Sequence, residues 1–313
     1  MQRRKLGGTD IAIAPLVFGG NVFGWTADEA TSYALLDRFT ERGFNAIDTA
    51  DMYSAWVPGN SGGESETIIG KWLKRRGQRD DVVLITKVGL LERRKGLRAE
   101  NILAAAEDSL RRLQTDHIDV YFAHTDDESV PLEETLTAFD RLVESGKVRA
   151  VGASNYSAAR VREALDISAQ KGLVRYEVLQ PEYNLYDRHA FERELAPLAV
   201  ERGLGVICYF ALANGFLTGK YRGVEDLAGA SRADLLRKYF DERGLRILAA
   251  LREVADSLSA TPAQVALAWL MAKPGVTAPI ASATKLEQLD DLLGAAALRL
   301  PDEAIARLDR ASA

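Results

Sequence analysis

Short apolar runs rich in Val and Ile recur along this chain, and stretches with apolar residues at helical spacing separate most of them. Each run has the length of a buried strand and is mostly apolar on both faces, as parallel strands are. The runs occupy residues 15–19, 44–48, 82–87, 117–124, 148–154, 176–180, 205–209 and 276–282. Eight strand–helix units in 313 residues predict an α/β fold, a (β/α)8 TIM barrel formed as one domain by residues 1–313.

The stretches between the runs predict helices. Apolar residues at helical spacing cover residues 30–40, 66–73, 101–113, 132–143, 158–169, 190–200 and 263–272. Ser157 and the pair Thr261-Pro262 are typical of helix starts, and Gly172 stands where a helix commonly ends.

Two segments fall outside the repeat. Residues 2–13 predict a short N-terminal β-hairpin that turns at Gly7-Gly8 and could close the floor of the barrel. Residues 210–244, after the seventh strand, are polar and contain glycine, which predicts a long loop. Long loops in compact domains are usually functional.

A doubly wound open sheet is the alternative fold. That fold needs a glycine-rich phosphate-binding turn after its first strand. Residues 19–24 (GGNVFG) fit superficially, but Trp25-Thr26 and a helix cap at Asp28 follow them, which is typical of a loop before a helix. The barrel is therefore the preferred prediction.

Composition excludes several classes of partner. The chain has 40 basic and 45 acidic residues, a net charge of −5, and no basic block, which argues against nucleic acid or an anionic membrane as a partner. Cys208 is the single cysteine, so an intrachain disulfide and a cysteine-based zinc site are excluded, and 3 histidines supply a metal site poorly. No apolar run approaches the roughly 20 residues needed to cross a bilayer. We expect a soluble cytoplasmic protein without a metal.

Polar residues end most of the predicted strands. In a barrel of this kind the carboxyl ends of the strands form the mouth that carries the active site. A ring of polar groups at successive strand ends therefore predicts one site. The residues at these ends are Asp48, Lys87, His124, Ser154 with Asn155, Gln180, Tyr209 and Ser282.

Four of the residues near these ends make a plausible proton-transfer unit. Asp48, Lys87 and His124 end neighbouring strands, and Tyr53 follows Asp48 on the loop above. A lysine charge beside a phenol would lower its pKa from about 10. Asp48 would keep Lys87 charged, and His124 could hydrogen-bond the same substrate oxygen. Such a phenol is a general acid toward an alkoxide developing from a carbonyl, and a base in the reverse direction.

Six motifs follow one another along nearly the whole chain. They lie at residues 43–53 (GFNAIDTADMY), 84–87 (LITK), 119–124 (DVYFAH), 146–155 (GKVRAVGASN), 180–184 (QPEYN) and 215–221 (GFLTGKY). In this order they resemble the motifs of the aldo-keto reductase family. The motif at residues 215–221 is similar to that of the branch that contains the potassium-channel β-subunits and many bacterial reductases.

This resemblance implies metal-free, NADPH-dependent reduction of an aldehyde or ketone. Tyr53 would be the proton donor, with Asp48, Lys87 and His124 as its partners, and the hydride would be the pro-R one. The cofactor would contact residues from most of the strand ends. Implied at the nicotinamide are Gly20, Asn21, Val22, Asp48, Ser154, Asn155, Gln180 and Tyr209; at the pyrophosphate Phe210, Ala211, Leu212, Asn214, Leu217, Gly219 and Lys220; and at the adenosine end Ser282, Thr284, Gln288 and Asp291.

The chain departs from the family pattern at three places. Phe210-Ala211 replaces a common Ser-Pro, Asp291-Leu292 replaces a Glu-Asn pair that often contacts adenine, and Ser282 replaces a glycine. These departures bear on cofactor affinity and on the preference for NADPH over NADH. Arg222, Arg232 and Arg237 in the long loop are alternative candidates for a 2′-phosphate contact.

Two other functions stay open at this point. One is a nicotinamide-loaded barrel that regulates a partner and turns over little. The other is a lyase or isomerase that uses Lys87 as a Schiff-base lysine. Trp25 and Trp56, on the loops after the first two barrel strands, could line a substrate pocket or pack on the surface. The natural substrate, the physiological direction and the oligomeric state are not readable from the sequence.

Overall fold

A closed barrel of eight parallel strands forms the centre of the molecule, in a computed structural model that describes residues 2–228 and 233–313. Each strand pairs in parallel with its neighbour along the chain, and the last strand pairs with the first. The predicted (β/α)8 barrel is therefore confirmed. The barrel strands are β3 (Val17–Gly19), β4 (Ala46–Asp48), β5 (Val83–Val88), β6 (Ile118–Ala123), β7 (Val148–Ser154), β8 (Tyr176–Gln180), β9 (Gly205–Cys208) and β10 (Ala278–Ala281).

Helices cover the outside of the barrel. Four of them begin at side-chain caps, since Asp28, Ser157, Asp241 and Thr261 each accept a hydrogen bond from a backbone N–H three residues on. A π-helical turn, Phe191–Leu195, precedes α6. The helices are α1 (Glu29–Glu41), α2 (Glu64–Arg76), α3 (Ala99–Leu113), α4 (Leu132–Glu144), α5 (Ala158–Lys171), α6 (Ala196–Arg202), α7 (Ala233–Leu236), α8 (Glu242–Ser257), α9 (Pro262–Ala272), α10 (Leu286–Gly294) and α11 (Asp302–Ser312).

The predicted N-terminal hairpin is present and closes one end of the barrel. Its strands β1 (Arg4–Lys5) and β2 (Ala12–Ile13) are antiparallel. Leu6, Ile11 and Ile13 are fully or almost fully buried and join the apolar cluster of the barrel interior. Because the hairpin precedes β3, it lies at the amino ends of the strands. The opposite, carboxyl end is left open.

The long connection after β9 contains more helix than the sequence predicts. Within residues 210–244, the structure has 3₁₀ turns at Ala213–Thr218, Val224–Leu227 and Arg237–Tyr239. Helix α7 lies between the last two of these turns, and α8 begins at Glu242, inside the predicted loop. Asp241 supplies the cap that starts α8 there, by accepting from the Gly244 N–H at 2.7 Å. Arg232 lies outside the described residues. Among the described helices, none has the length and apolarity that a bilayer crossing requires.

Candidate active site

The polar residues that end the barrel strands meet at the open end of the barrel. They line one cleft with a volume of about 720 Å³, except for Lys87, which is fully buried beneath it. The cleft residues at these ends are Asp48, His124, Ser154, Asn155, Gln180, Tyr209 and Ser282. The structure therefore brings the predicted ring together.

Lys87 is the centre of a buried hydrogen-bond network. Its ammonium donates to both carboxylate oxygens of Asp48, at 2.8 and 2.7 Å, and to the Thr49 carbonyl at 2.7 Å. It also donates to the Tyr53 hydroxyl at 3.0 Å, and that hydroxyl donates to Asp48 at 3.3 Å. Burial of the Lys87–Asp48 pair fixes the ammonium directly behind a phenol at the rim of the cleft.

The acidity of Tyr53 differs from the sequence expectation. Burial, followed by the Asp48 carboxylate, raises the pKa of Tyr53 well above its ordinary value. Burial also lowers the pKa of Lys87, against the opposing effect of Asp48. The expectation rested on the lysine charge alone and left out desolvation and the carboxylate that pairs with that charge. Tyr53 is therefore protonated at neutral pH, which is the form a proton donor needs.

His124 faces the same phenol. The His124 and Tyr53 rings lie 6.1 Å apart and edge-on. Burial and the charge of Lys87 lower the pKa of His124 well below 6.5, so the imidazole is neutral at neutral pH. Its Nδ1 is buried and has no hydrogen-bond partner among the described residues. A neutral imidazole with a free nitrogen can donate to or accept from a bound molecule.

Amide and hydroxyl groups continue the network along the cleft. Gln180 Nε2 donates to Asp48 at 2.8 Å, and Ser154 Oγ donates to the Gln180 backbone carbonyl at 2.9 Å. Asn155 has a positive φ of 56° and accepts from the Tyr209 hydroxyl at 2.7 Å. These bonds hold an aromatic ring and two amides in fixed positions beside Tyr53.

The far end of the cleft joins the first and last barrel strands. Ser282 Oγ donates to Asn21 Oδ1 at 2.6 Å. Gln288 accepts from both the backbone N–H and the hydroxyl of Thr284, at 3.0 and 3.1 Å. Asp291 accepts from Thr261 at 3.0 Å, and burial raises the pKa of Asp291. This end therefore presents hydroxyls, an amide and one carboxylate.

Most of the residues predicted to bind a cofactor line the cleft, and three do not. Gly20 turns its carbonyl to Ser65 Oγ at 2.7 Å, Leu217 is fully buried in the outer core, and Gly219 ends a 3₁₀ turn with φ of 73°. The structure does not bring these three to the cleft wall, although their sequence neighbours Asn21, Thr218 and Lys220 line it. The predicted residues on the wall are Asn21, Val22, Asp48, Ser154, Asn155, Gln180, Tyr209, Phe210, Ala211, Leu212, Asn214, Lys220, Ser282, Thr284, Gln288 and Asp291.

Two indole rings on the cleft wall received no assignment from the sequence. Trp25 and Trp56 meet edge to face with ring centroids 5.6 Å apart, and Trp56 lies 6.2 Å from the Tyr53 ring. Their positions on the loops after the first two barrel strands were the sequence feature that could have placed them at the cleft. Other wall residues outside the sequence prediction are Gly19, Thr26, Gly215, Thr218, Tyr221, Ala263, Ile280, Ala281 and Leu292.

Known proteins are similar to this chain over almost all of its length. A model of the Aldo/keto reductase family matches residues 15–313. A Bacillus subtilis protein named uncharacterized oxidoreductase YrpG is 36% identical, over 99% of this chain and 95% of its own length. An Arabidopsis thaliana probable voltage-gated potassium channel subunit beta is 33% identical, over 93% and 90%. The Escherichia coli protein tas is 31% identical, over 99% and 97%. The resemblance found in the sequence is thus confirmed, and the chain belongs to the aldo/keto reductase family, a family of oxidoreductases of the carbonyl-reducing kind.

Proposed function

We propose that this protein is an NADP(H)-dependent reductase of aldehydes or ketones in which Tyr53 is the proton donor. One observation supports this most directly. The Tyr53 hydroxyl lies at the cleft and 3.0 Å from a fully buried ammonium. A protonated phenol backed by a fixed positive charge suits protonation of an oxygen that becomes negative.

Four residues of the chain have separate roles in the proposed reaction. A reduced nicotinamide, when bound, supplies the hydride. Tyr53 gives its proton to the carbonyl oxygen, and the Lys87 ammonium stabilises the phenolate left behind. Asp48 holds Lys87 in place through its two short hydrogen bonds. Neutral His124 donates a hydrogen bond to the same carbonyl oxygen and orients it.

The cleft suits a dinucleotide along its length. Amide groups of Asn155 and Gln180 and the ring of Tyr209 stand beside Tyr53, where a nicotinamide would be held. Lys220 lines the cleft, and its ammonium lies 4.7 Å from the centroid of the Tyr221 ring. It forms no ion pair with any described residue, so its charge is available to a phosphate. Ser282, Thr284, Gln288 and Asp291 would hold the adenosine end, where hydroxyls and an amide suit a phosphate or a ribose.

The pocket wall beside Tyr53 favours an aromatic carbonyl substrate. Trp25 and Trp56 are set at 87° to each other, so a planar ring can stack on one indole and meet the edge of the other. Trp56 is 44% exposed, which leaves much of its face open to a ligand.

Replacement of Tyr53 by Phe tests this function. Loss of a general acid is expected to lower kcat for an aromatic aldehyde by about 10²- to 10⁴-fold. NADPH affinity, measured by quenching of tryptophan fluorescence, should stay within about twofold. Tyr33→Phe, on the outer face of α1, is the matched control and should keep full turnover. Normal turnover in Tyr53→Phe would overturn the assignment of Tyr53.

A regulatory barrel with little turnover is the second candidate, because two similar plant proteins are named probable voltage-gated potassium channel subunits beta. NADPH oxidation across a broad carbonyl panel separates the two functions. A flat trace with cofactor bound would favour the regulatory barrel. The Schiff-base alternative is disfavoured, because Lys87 is fully buried and its ammonium is occupied by three residues. Borohydride trapping of an adduct on Lys87 would revive it.

A further inference from the structure

A second cavity lies at the end of the barrel opposite the candidate active site. Its volume is about 660 Å³, within the range of small-molecule sites. Pro15 and Phe44, which precede β3 and β4, place it at the amino ends of the strands. Arg4 of the N-terminal hairpin lines one side. We call this cavity the arginine pocket.

Much of the wall of the arginine pocket is apolar. Phe44 and Leu293 contribute buried side chains, and Met271 at the end of α9 is partly exposed to the cavity. Ala296 and Ala297, after α10, leave room between the larger side chains. Such a wall favours the body of an organic ligand over water or a bare ion.

The charged groups of the pocket are predominantly positive. Arg4, Arg42 and Arg299 line it together with one acid, Glu41. Arg4 donates to the Thr277 carbonyl at 3.2 Å. Arg42, Arg299 and Glu41 are exposed, and none of the three forms a side-chain hydrogen bond or ion pair with a described residue.

The two cations Arg4 and Arg299 repel each other. Burial, followed by the charge of Arg299, lowers the pKa of Arg4. The partial negative charge at the carboxyl end of α1 offsets part of the charge of Arg42, which follows that helix. It does not pair the guanidinium of Arg299. An anion between Arg4 and Arg299 would relieve their repulsion and give Arg299 an acceptor.

We propose that the arginine pocket binds an organic carboxylate with an apolar body. The carboxylate is held by Arg4, Arg42 and Arg299, and the apolar body packs on Phe44, Met271 and Leu293. This site is separate from the cleft and does not depend on the proposed reductase activity. A bare phosphate would leave the apolar wall in contact with water. A neutral alcohol would leave Arg42 and Arg299 without a negatively charged partner.

Octanoate and two matched probes test the proposal. Inorganic phosphate offers the charge alone, and 1-octanol offers the chain alone. The chain has 3 methionines, Met1, Met52 and Met271. Of the two that the structure describes, Met52 and Met271, only Met271 lines the pocket. Methyl-labelled methionine therefore gives an NMR signal for this site, assigned with Met271→Leu. Met52 follows β4 on the active-site side and reports binding there.

We expect octanoate to shift the Met271 methyl signal saturably, and 1-octanol and phosphate to bind at least tenfold more weakly. Arg42→Gln and Arg299→Gln should each weaken octanoate roughly tenfold. Arg246→Gln, an exposed arginine of α8 outside the pocket, is the control and should bind as the unmodified protein does. Octanoate binding that moves only Met52 would overturn the proposal. Equal affinity for octanoate and 1-octanol, or equal weakening by Arg246→Gln, would also overturn it.

Discussion

Removal of the Lys87 charge should destabilise the fold as well as the reaction. Lys87→Met keeps an unbranched side chain but leaves Asp48, which is 2% exposed, without its cation. The hydrogen bonds from the three N–H groups of the ammonium to Asp48, Thr49 and Tyr53, at 2.7–3.0 Å, are lost. Loss of one partner from a buried ion pair costs about 3–5 kcal/mol, so we expect the free energy of unfolding to fall by that amount.

A double-mutant cycle separates the Lys87–Asp48 coupling energy from nonspecific destabilisation of the fold by either substitution. Asp48→Asn alone should also be costly, whereas the double variant should lose at least ~2 kcal/mol less than the sum of the single losses. Urea unfolding of the cofactor-free protein, followed by tryptophan fluorescence, measures each free energy. The half-exposed pair Arg38–Asp290, 3.2 Å apart, is the control, and its coupling should stay below ~1 kcal/mol. Additive losses at Lys87 and Asp48 would refute the reasoning.

Three further predictions concern other parts of the molecule. Both carboxylate oxygens of Asp51 are buried without a described partner, and burial, then Glu66, raises the pKa of Asp51 well above 3.8. The Asp51 carboxyl thus holds its proton more tightly in the folded protein than in the unfolded chain. Asp51→Asn should therefore raise the free energy of unfolding by ~1–3 kcal/mol at pH 7 and by less at pH 4. An equal increase at the two pH values would contradict this prediction. Trp56→Ala should raise KM for benzaldehyde about 2- to 12-fold and leave acetaldehyde kinetics nearly unchanged, and equal effects on both would remove the aromatic-substrate argument. A Cβ on Gly70 would lie 2.1 Å from the Arg112 carbonyl oxygen, so Gly70→Ala should lower stability by ~1–3 kcal/mol in thermal melts, despite its better helix propensity.

The barrel was predictable because its strands are buried on both faces. Parallel strands under helices read as continuous apolar runs, and the run at residues 148–154 coincides with the observed strand β7. The ring of strand-end polar groups followed from the same pattern. Their convergence is a property of the fold, so Asp48, Lys87 and Tyr53 could be grouped before any coordinates.

Loop geometry and burial were not predictable in the same way. Trp25 and Trp56 meet because two separate strand–helix loops fold against each other, which no local pattern encodes. The direction of the Tyr53 pKa change depends on how deeply the phenol is buried, and the sequence alone does not show that burial. Helix α8 begins inside a polar stretch because Asp241 caps it, while Tyr186 donates to the same carboxylate at 2.8 Å.

Closure of the barrel by β10 has a consequence for synthesis of the protein. Ser282 and Asn21 touch across 261 residues of chain, so the far wall of the cleft exists only after the last barrel strand has joined the first. On the ribosome, a nascent chain that ends before residue 282 contains the Tyr53–Lys87–Asp48 network but not the wall against which a dinucleotide would lie. A dinucleotide cofactor of the proposed kind would therefore find its complete binding wall only after β10 has left the exit tunnel.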